Sequence, residues 1–252
     1  MIETAQAFGI DIGGSGIKGA PVDLKEGKFA CERLRIPTPE ESTPIAVAGI
    51  VKQILDHYEV EDGTPIGIAF PAPIKPGRPL DFMANLDQSW VGVDINELMC
   101  EQTGRTVHVV NDADAAGLAE AQYGAAKGVD GLVIATTLGT GIGTALIMNG
   151  VLVPNTELGH LLLDDKGDSE KYTADSVRTA KELTWKKWGK RLTKYYRMLE
   201  HYFSPDIFVV GGGVSKKHEK FFPYIDIKTP IVPAQLLNDA GIVGAGYYAS
   251  TF

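Results

Sequence analysis

Apolar positions fall in short runs broken by glycine clusters, and two of these runs are built alike. Phe8-Gly-Ile-Asp-Ile12 and residues 17–22 read as strands joined by Gly13-Gly-Ser-Gly16, a hairpin whose tip exposes backbone N–H groups. Residues 131–137 and 142–148 repeat the device around Leu138-Gly-Thr-Gly141, a weak internal duplication. Between the hairpins the pattern predicts strands over 29–36 and 65–70, a helix over 43–58 with Ile50, Ile54 and Leu55 at helical spacing, and a proline-rich loop over 71–78. A short helix over 94–103 should end at Gly104. Val107, Val109 and Val110 predict a buried strand running into Asn111 and Asp112, with Asp114 placed to cap the alanine-rich helix beyond. Later come a long helical pattern over 174–203, a strand over 207–210, the turn Gly211-Gly-Gly213, a short helix from about Ser215 and a last helix over 239–250. The class is α/β. No serine-, glutamine- or charge-rich linker separates the halves, so two domains packed across a cleft are expected, residues 1–110 with 239–252 and residues 111–238.

A chain of 252 residues, 44% hydrophobic, can fill such cores. The net charge of −8, from 24 basic and 32 acidic residues, argues against nucleic acid or an anionic membrane as partner. Two cysteines, Cys31 and Cys100, supply neither a multi-thiolate zinc site nor a disulfide framework, which points to a reducing, cytoplasmic compartment. The N-terminus has no basic segment leading into an apolar run, and no stretch approaches the ~20 apolar residues of a membrane span, so neither export nor membrane insertion is expected.

The chemistry-bearing residues cluster at the ends of these strands. Asp11 beside the Gly13–Gly16 turn is either the anchor of an ordinary hairpin or a carboxylate next to a nest of N–H donors. Further glycine turns at 139–143 and 211–213, each after a strand, favour phosphate binding. Asp112 ends a strand, where open α/β sheets place reacting groups, yet both it and Asp114 could simply cap a helix. Glu157 and His160 stand three residues apart, suited to the hydroxyls of a small polar ligand or to a plain turn. Asn85-Leu-Asp87 with Trp90 offers amide, carboxylate and indole, as a sugar site or as an asparagine turn over a buried ring.

The set Asp11-Ile-Gly-Gly-Ser-Gly, Asn111-Asp-Ala-Asp, Leu138-Gly-Thr-Gly-Ile-Gly143, Glu157-Leu-Gly-His160 and Gly211-Gly-Gly213 resembles, in order, the ROK sugar kinases. Asn111-Asp-Ala-Asp-Ala-Ala-Gly117, Pro154-Asn-Thr-Glu-Leu-Gly-His160, Trp185, Trp188, Arg191 and the lack of a cysteine-rich zinc segment make the chain most similar to the polyphosphate-using glucokinases of that family. It departs at Ser15, usually threonine, and at Pro71-Ala-Pro73, often proline-glycine. The resemblance implies a two-domain actin-like ATPase (ribonuclease H-like) fold with a duplicated β-β-β-α-β-α core and an interdomain cleft. It further implies phosphorylation of the 6-hydroxyl of glucose from inorganic polyphosphate, with or without ATP as second donor; the alternative is an ATP-dependent hexokinase of the same family. By the same resemblance Asp112 is the general base, and Asn85, Asn111, Asp112, Glu157 and His160 hold glucose. Asp11, Gly13, Gly14, Ser15, Gly16, Lys18, Gly139, Thr140, Gly141 and Gly212 surround phosphates or nucleotide, with Mg2+ at Asp11 and no zinc site. A homodimer is implied too. The family's sugar-responsive repressors carry a DNA-binding module before the first hairpin, whereas only seven residues precede Phe8 here.

One stretch reverses the chain's charge. Residues 178–197 hold eight basic side chains against the single acid Glu182. On a helix, Trp188, Leu192, Tyr195 and Leu199 form a core stripe, and Lys187, Lys190, Lys194 and Arg197 form a basic one. That basic stripe is either a solvated face or a guide for polyphosphate.

Overall fold

The computed structural model describes residues 6–83, 86–164 and 166–252. The chain divides into two compact units, Met1–Ala119 with Asp239–Phe252, and Glu120–Asn238.

In the first unit β1 (Ala7–Gly13) and β2 (Gly16–Asp23) form the expected antiparallel hairpin, with Gly13 opposite Gly16. The single strand expected over 29–36 is two short ones, β3 (Lys28–Phe29) and β4 (Leu34–Ile36). They pair with opposite ends of β2, and Glu32 between them gives its carbonyl to the Tyr58 hydroxyl at 2.6 Å. Then follow α1 (Pro44–His57), capped by the Thr43 hydroxyl, and β5 (Ile66–Phe70). α2 (Ile95–Thr103), between Asp94 and a left-handed Gly104, leads to β6 (Val107–Asn111) and α3 (Asp112–Gln122). The sheet order is β3-β2-β1-β5-β6, with β5 parallel to both β1 and β6.

Strand alternation assigns the two faces of this sheet. Phe8, Ile10, Ile12, Ile66, Ile68 and Phe70 join the apolar faces of α1 and α2 in one core. The intervening Gly9 and Gly67 meet the closing helix α7 (Ala240–Ala249). A Cβ at Gly9 would fall 1.9 Å from the Ile242 carbonyl oxygen, and one at Gly67 1.8 Å from that of Ala245. Only a residue without a side chain lets the helix backbone settle so closely on these strands.

The second unit repeats the plan. β7 (Leu132–Leu138) and β8 (Ile142–Met148) form a hairpin extended by β9 (Val151–Val153). A small pair, β10 (Leu162–Leu163) and β11 (Gly167–Asp168), precedes α4 (Ser169–Thr173), α5 (Asp175–Ala180) and α6 (Trp185–Phe203). β12 (Ile207–Gly211) and β13 (Ile231–Pro233) complete a sheet of order β9-β8-β7-β12-β13. One antiparallel hairpin flanked by two parallel neighbours recurs in the same sequence as in the first sheet, so the echo of the glycine turns is a duplication of topology.

The helical pattern over 174–203 is interrupted. Glu182 takes a positive φ of 48°, and the Thr184 hydroxyl accepts the Lys187 N–H at 3.3 Å, which starts α6 afresh. Trp188, Leu192, Tyr195, Tyr196 and Leu199 then bury against Leu132, Ile134, Phe208 and Val210. A 3-10 helix over Gly213–Lys220 stands where a short helix from Ser215 was expected. Among the described residues no helix is long and apolar enough to cross a membrane.

Candidate active site

At the end of β6 the Asn111 side chain, not Asp114, caps α3. Its Oδ1 accepts the N–H groups of Ala113 at 2.9 Å and Asp114 at 3.1 Å, so the helix begins at Asp112 with no intervening turn. The Asn111 amide also donates to the Ala72 carbonyl at 3.2 Å. The two aspartates of this turn part company. Asp114 is 1% exposed, inside the first helical turn, whereas Asp112 is exposed, one carboxylate oxygen accepting the Ala113 N–H at 2.8 Å. Of the two, only Asp112 can meet a solute.

Asp11, on β1, lies on the α7 side of the sheet, and Gly241 in the first turn of that helix leaves van der Waals room for its carboxylate. Directly across the hairpin, the Lys18 ammonium bonds Asp11 Oδ2 at 2.9 Å. One strand further, Arg35 faces Lys18 in register, and its guanidinium donates to the Ser15 carbonyl at the tip at 2.7 Å. Gly16 makes room for that guanidinium, since a Cβ there would fall 2.7 Å from Nε. The first glycine turn is therefore flanked by two cations, of which Arg35 was missed; strand alternation counted back from Ile36 was its only sequence signal.

The second turn is flanked by an anion. The Glu170 carboxylate accepts the Ile142 N–H at 2.8 Å and lies 2.3 Å from the place a Gly141 Cβ would take. The Gly139 N–H is spent on the Gly141 carbonyl at 3.0 Å, so the N–H groups of Thr140 and Gly141 carry this turn's capacity for an anion. Ser176 of α5 fastens the turn from outside, its N–H on the Gly139 carbonyl at 3.1 Å and its hydroxyl on that of Thr140 at 2.6 Å. Gly212, with φ of 81°, rests against Leu138 at the base of the turn; a Cβ there would fall 2.3 Å from the Leu138 carbonyl oxygen.

Glu157 and His160 meet the same hairpin end. Gly159 between them abuts the Ile142 carbonyl oxygen, which a Cβ would approach to 2.1 Å, and Leu158 donates to the Thr144 hydroxyl at 3.1 Å. His160 Nδ1 lies 3.0 Å from Asp168 Oδ2, and that bond, with smaller contributions from Glu170 and Glu157, holds the imidazole above its ordinary value of 6.5. Burial pushes the Glu157 carboxyl up, against the pull of His160. The structure thus gathers Glu157, His160, Gly139–Gly141 and Gly212 of the expected set around one hairpin and adds Glu170 and Asp168. Asn85 lies outside the described residues. A cluster of carboxylates and an imidazole beside free N–H donors suits a polyhydroxylated ligand together with an anionic group.

Known proteins are similar to this chain over most of its length. A sequence model of the ROK family matches residues 7–171. The chain is 44% identical over 239 residues to the polyphosphate glucokinase of Mycobacterium tuberculosis, covering 94% of this chain and 89% of that protein. It is 42% identical over 241 residues to the polyphosphate glucokinase of Mycobacterium leprae, covering 95% and 73%. The solved structure of inorganic polyphosphate/ATP-glucomannokinase from Arthrobacter sp. strain KM superposes with a TM-score of 0.89 at 47% identity, covering 98% of this chain and 99% of that one.

Proposed function

The chain belongs to the ROK family and has the two-unit actin-like fold of its kinases, and on that premise we propose that it is a glucokinase that transfers a phosphoryl group from inorganic polyphosphate, and from ATP as second donor, to the 6-hydroxyl of glucose. The relatives named for polyphosphate, together with the one named for both donors, support this reading. The observation that carries it is the division of labour at Asn111-Asp-Ala-Asp: Asp114 is buried in the helix, and Asp112 stands exposed at the end of β6.

In the proposed mechanism Asn111, Glu157 and His160 fix the sugar by its hydroxyls. Both lone-pair directions of Asn111 Oδ1 are occupied by the cap and one amide hydrogen by Ala72, which leaves its second amide hydrogen to donate to a sugar oxygen. Asp112 accepts the proton of the 6-hydroxyl as that oxygen attacks the terminal phosphorus, and the bridging P–O bond breaks so that the donor leaves one phosphate shorter. Phosphoryl transfer spreads charge over the equatorial oxygens and asks mainly for positioning and countercharge. Lys18, Arg35 and the N–H groups of the glycine turns supply that countercharge. Asp11 has one oxygen committed to Lys18, and no group of three His, Cys, Asp or Glu side chains that could hold a metal ion occurs among the described residues. That donor set fits a Mg2+ brought in by the donor phosphates and held by Asp11, not an ion caged by protein alone. When bound, Mg2+ would neutralise phosphate charge.

The test is glucose 6-phosphate formation with polyphosphate and with ATP, each with Mg2+, for the native chain and for Asp112→Asn. The variant is expected to bind glucose normally and to lose about 10²–10⁴-fold in turnover, the usual contribution of a positioned base. Near-native turnover would remove Asp112 from the role. Product from ATP alone would restrict the activity to an ATP-dependent hexokinase.

A further inference from the structure

The basic residues of 178–197 are not equivalent. Arg197 is tied to Asp226, and Arg191 gives its guanidinium to the Tyr172 carbonyl at 3.0 Å while lying over the Tyr172 ring. These two are structural, and the stripe of Lys187, Lys190, Lys194 and Arg197 loses its last member. A different group of cations assembles around Trp185, the first residue of α6. The Arg178 guanidinium lies 4.2 Å from its ring centre but is itself paired with Asp175, its Nε 2.6 Å from Oδ1, while the Lys220 ammonium, at the end of the 3-10 helix, lies 5.8 Å from the ring. Lys186, Lys187 and Lys190 follow directly on α6, all exposed and without an ion-pair partner among the described residues. Arg178 is two residues from Ser176, whose N–H and hydroxyl hold the carbonyls of Gly139 and Thr140. Past the Glu170 carboxylate beside the Thr140 turn and the paired Arg178 of α5, cations without an ion-pair partner among the described residues thus begin at Lys220 and continue along the first turns of α6.

We propose that these lysines are the docking track of a long polyphosphate: with its terminal phosphates at the N–H groups of the Thr140 turn, the rest of the chain lies over Lys220, Lys186, Lys187 and Lys190. The inference rests on the reading of the chain as a polyphosphate-using kinase and adds to it where the donor runs. A polyphosphate carries a negative charge on every internal unit along a flexible strand, so a row of unpaired lysines on a rigid helix matches it without base-like or sugar-like contacts. Lys186 to Lys190 extends the track by about 6 Å along the helix axis. ATP ends within the phosphate-binding turns and has no use for this extension. Long-chain donors should therefore depend on it, and ATP should not.

The test compares the native chain with the triple variant Lys186→Gln, Lys187→Gln, Lys190→Gln. Initial rates are measured with long-chain polyphosphate and with ATP over a range of KCl, and equilibrium binding of long-chain polyphosphate is measured without glucose. The variant should show a KM for long polyphosphate raised tenfold or more, with kcat and the KM for ATP within twofold of native; the ATP rate also reports that the variant is folded. Removing three phosphate contacts should flatten the slope of log affinity against log salt by about 2, from roughly 0.7 per contact on a single strand. An unchanged KM and salt slope for long polyphosphate would overturn the track, as would single-stranded RNA of equal charge displacing polyphosphate from the native chain equally well. A native chain that binds polyphosphate, loses that binding in the triple variant and yet makes no glucose 6-phosphate from it would support the track and sink the kinase reading. Native activity with polyphosphate alongside unaltered binding by the variant would do the reverse.

Discussion

Asn111 is assigned two duties that one pair of substitutions can separate. As the cap of α3 it accepts two N–H bonds, at 2.9 and 3.1 Å, and as a proposed sugar ligand it offers one amide hydrogen. Serine keeps a cap acceptor but has no amide to reach Ala72 or a sugar; alanine keeps neither. Loss of the cap costs about 1 kcal/mol. For a chain of this size that is about 2–4 °C in Tm, so Asn111→Ala should melt that much below Asn111→Ser. Both should lose the same sugar contact, about 0.5–1.5 kcal/mol, or roughly two- to twelvefold in glucose affinity. Thermal denaturation and glucose titration of the two variants and the native chain provide the measurement. Equal melting of the serine and alanine variants would refute the cap as a stabilising element, and native glucose affinity in the serine variant would refute the sugar contact.

Three further variants test packing and charge. Gly67→Ala places a methyl 1.8 Å from a backbone oxygen of α7, which cannot swing aside, so chemical denaturation should show a loss near the top of the about 1–3 kcal/mol range for overpacking. Gly49→Ala, on the open face of α1 with nothing within 4 Å, should instead gain about 0.5–1 kcal/mol; the same sign at both positions would refute the close-approach argument. His160, with its midpoint raised by Asp168, adds stability that is complete below its ordinary value of 6.5 and lost as pH rises through the higher folded value. Asp168→Asn should lower the His160 midpoint in an NMR titration of its ring protons, and an unmoved midpoint would remove Asp168 as the cause.

Much of the architecture is written locally. The two hairpins, the helices begun by Thr43 and Asp94, the stop at Gly104 and the strand ending at Asn111 rest on neighbours a few residues apart, so a linear pattern displays them. Where a local pattern has two solutions, it could mislead. Asp114 and Asn111 both suit a cap, and the choice fell to Asn111 because the helix starts directly after the strand. The helical periodicity of 174–203 runs on through a break made by one threonine hydroxyl and one residue of positive φ.

The strand-end carboxylates, the glycine turns and the charge reversal on α6 are properties of residue order and can be read without a fold. Which neighbours convert them into sites is not, because side chains far apart in sequence meet only once sheets have paired and helices have docked. Pairing of β4 with β2 brings Arg35 to the first turn, and α4 brings Glu170 to the second, so two turns alike in sequence differ in charge. Docking of α7 explains Gly9 and Gly67, whose lack of a side chain has no local cause. The basic run is sorted in the same way: Asp226, Tyr172 and Asp175 withdraw three arginines into structure, and Lys186, Lys187 and Lys190, with Lys220 beside Trp185, remain to meet an anion.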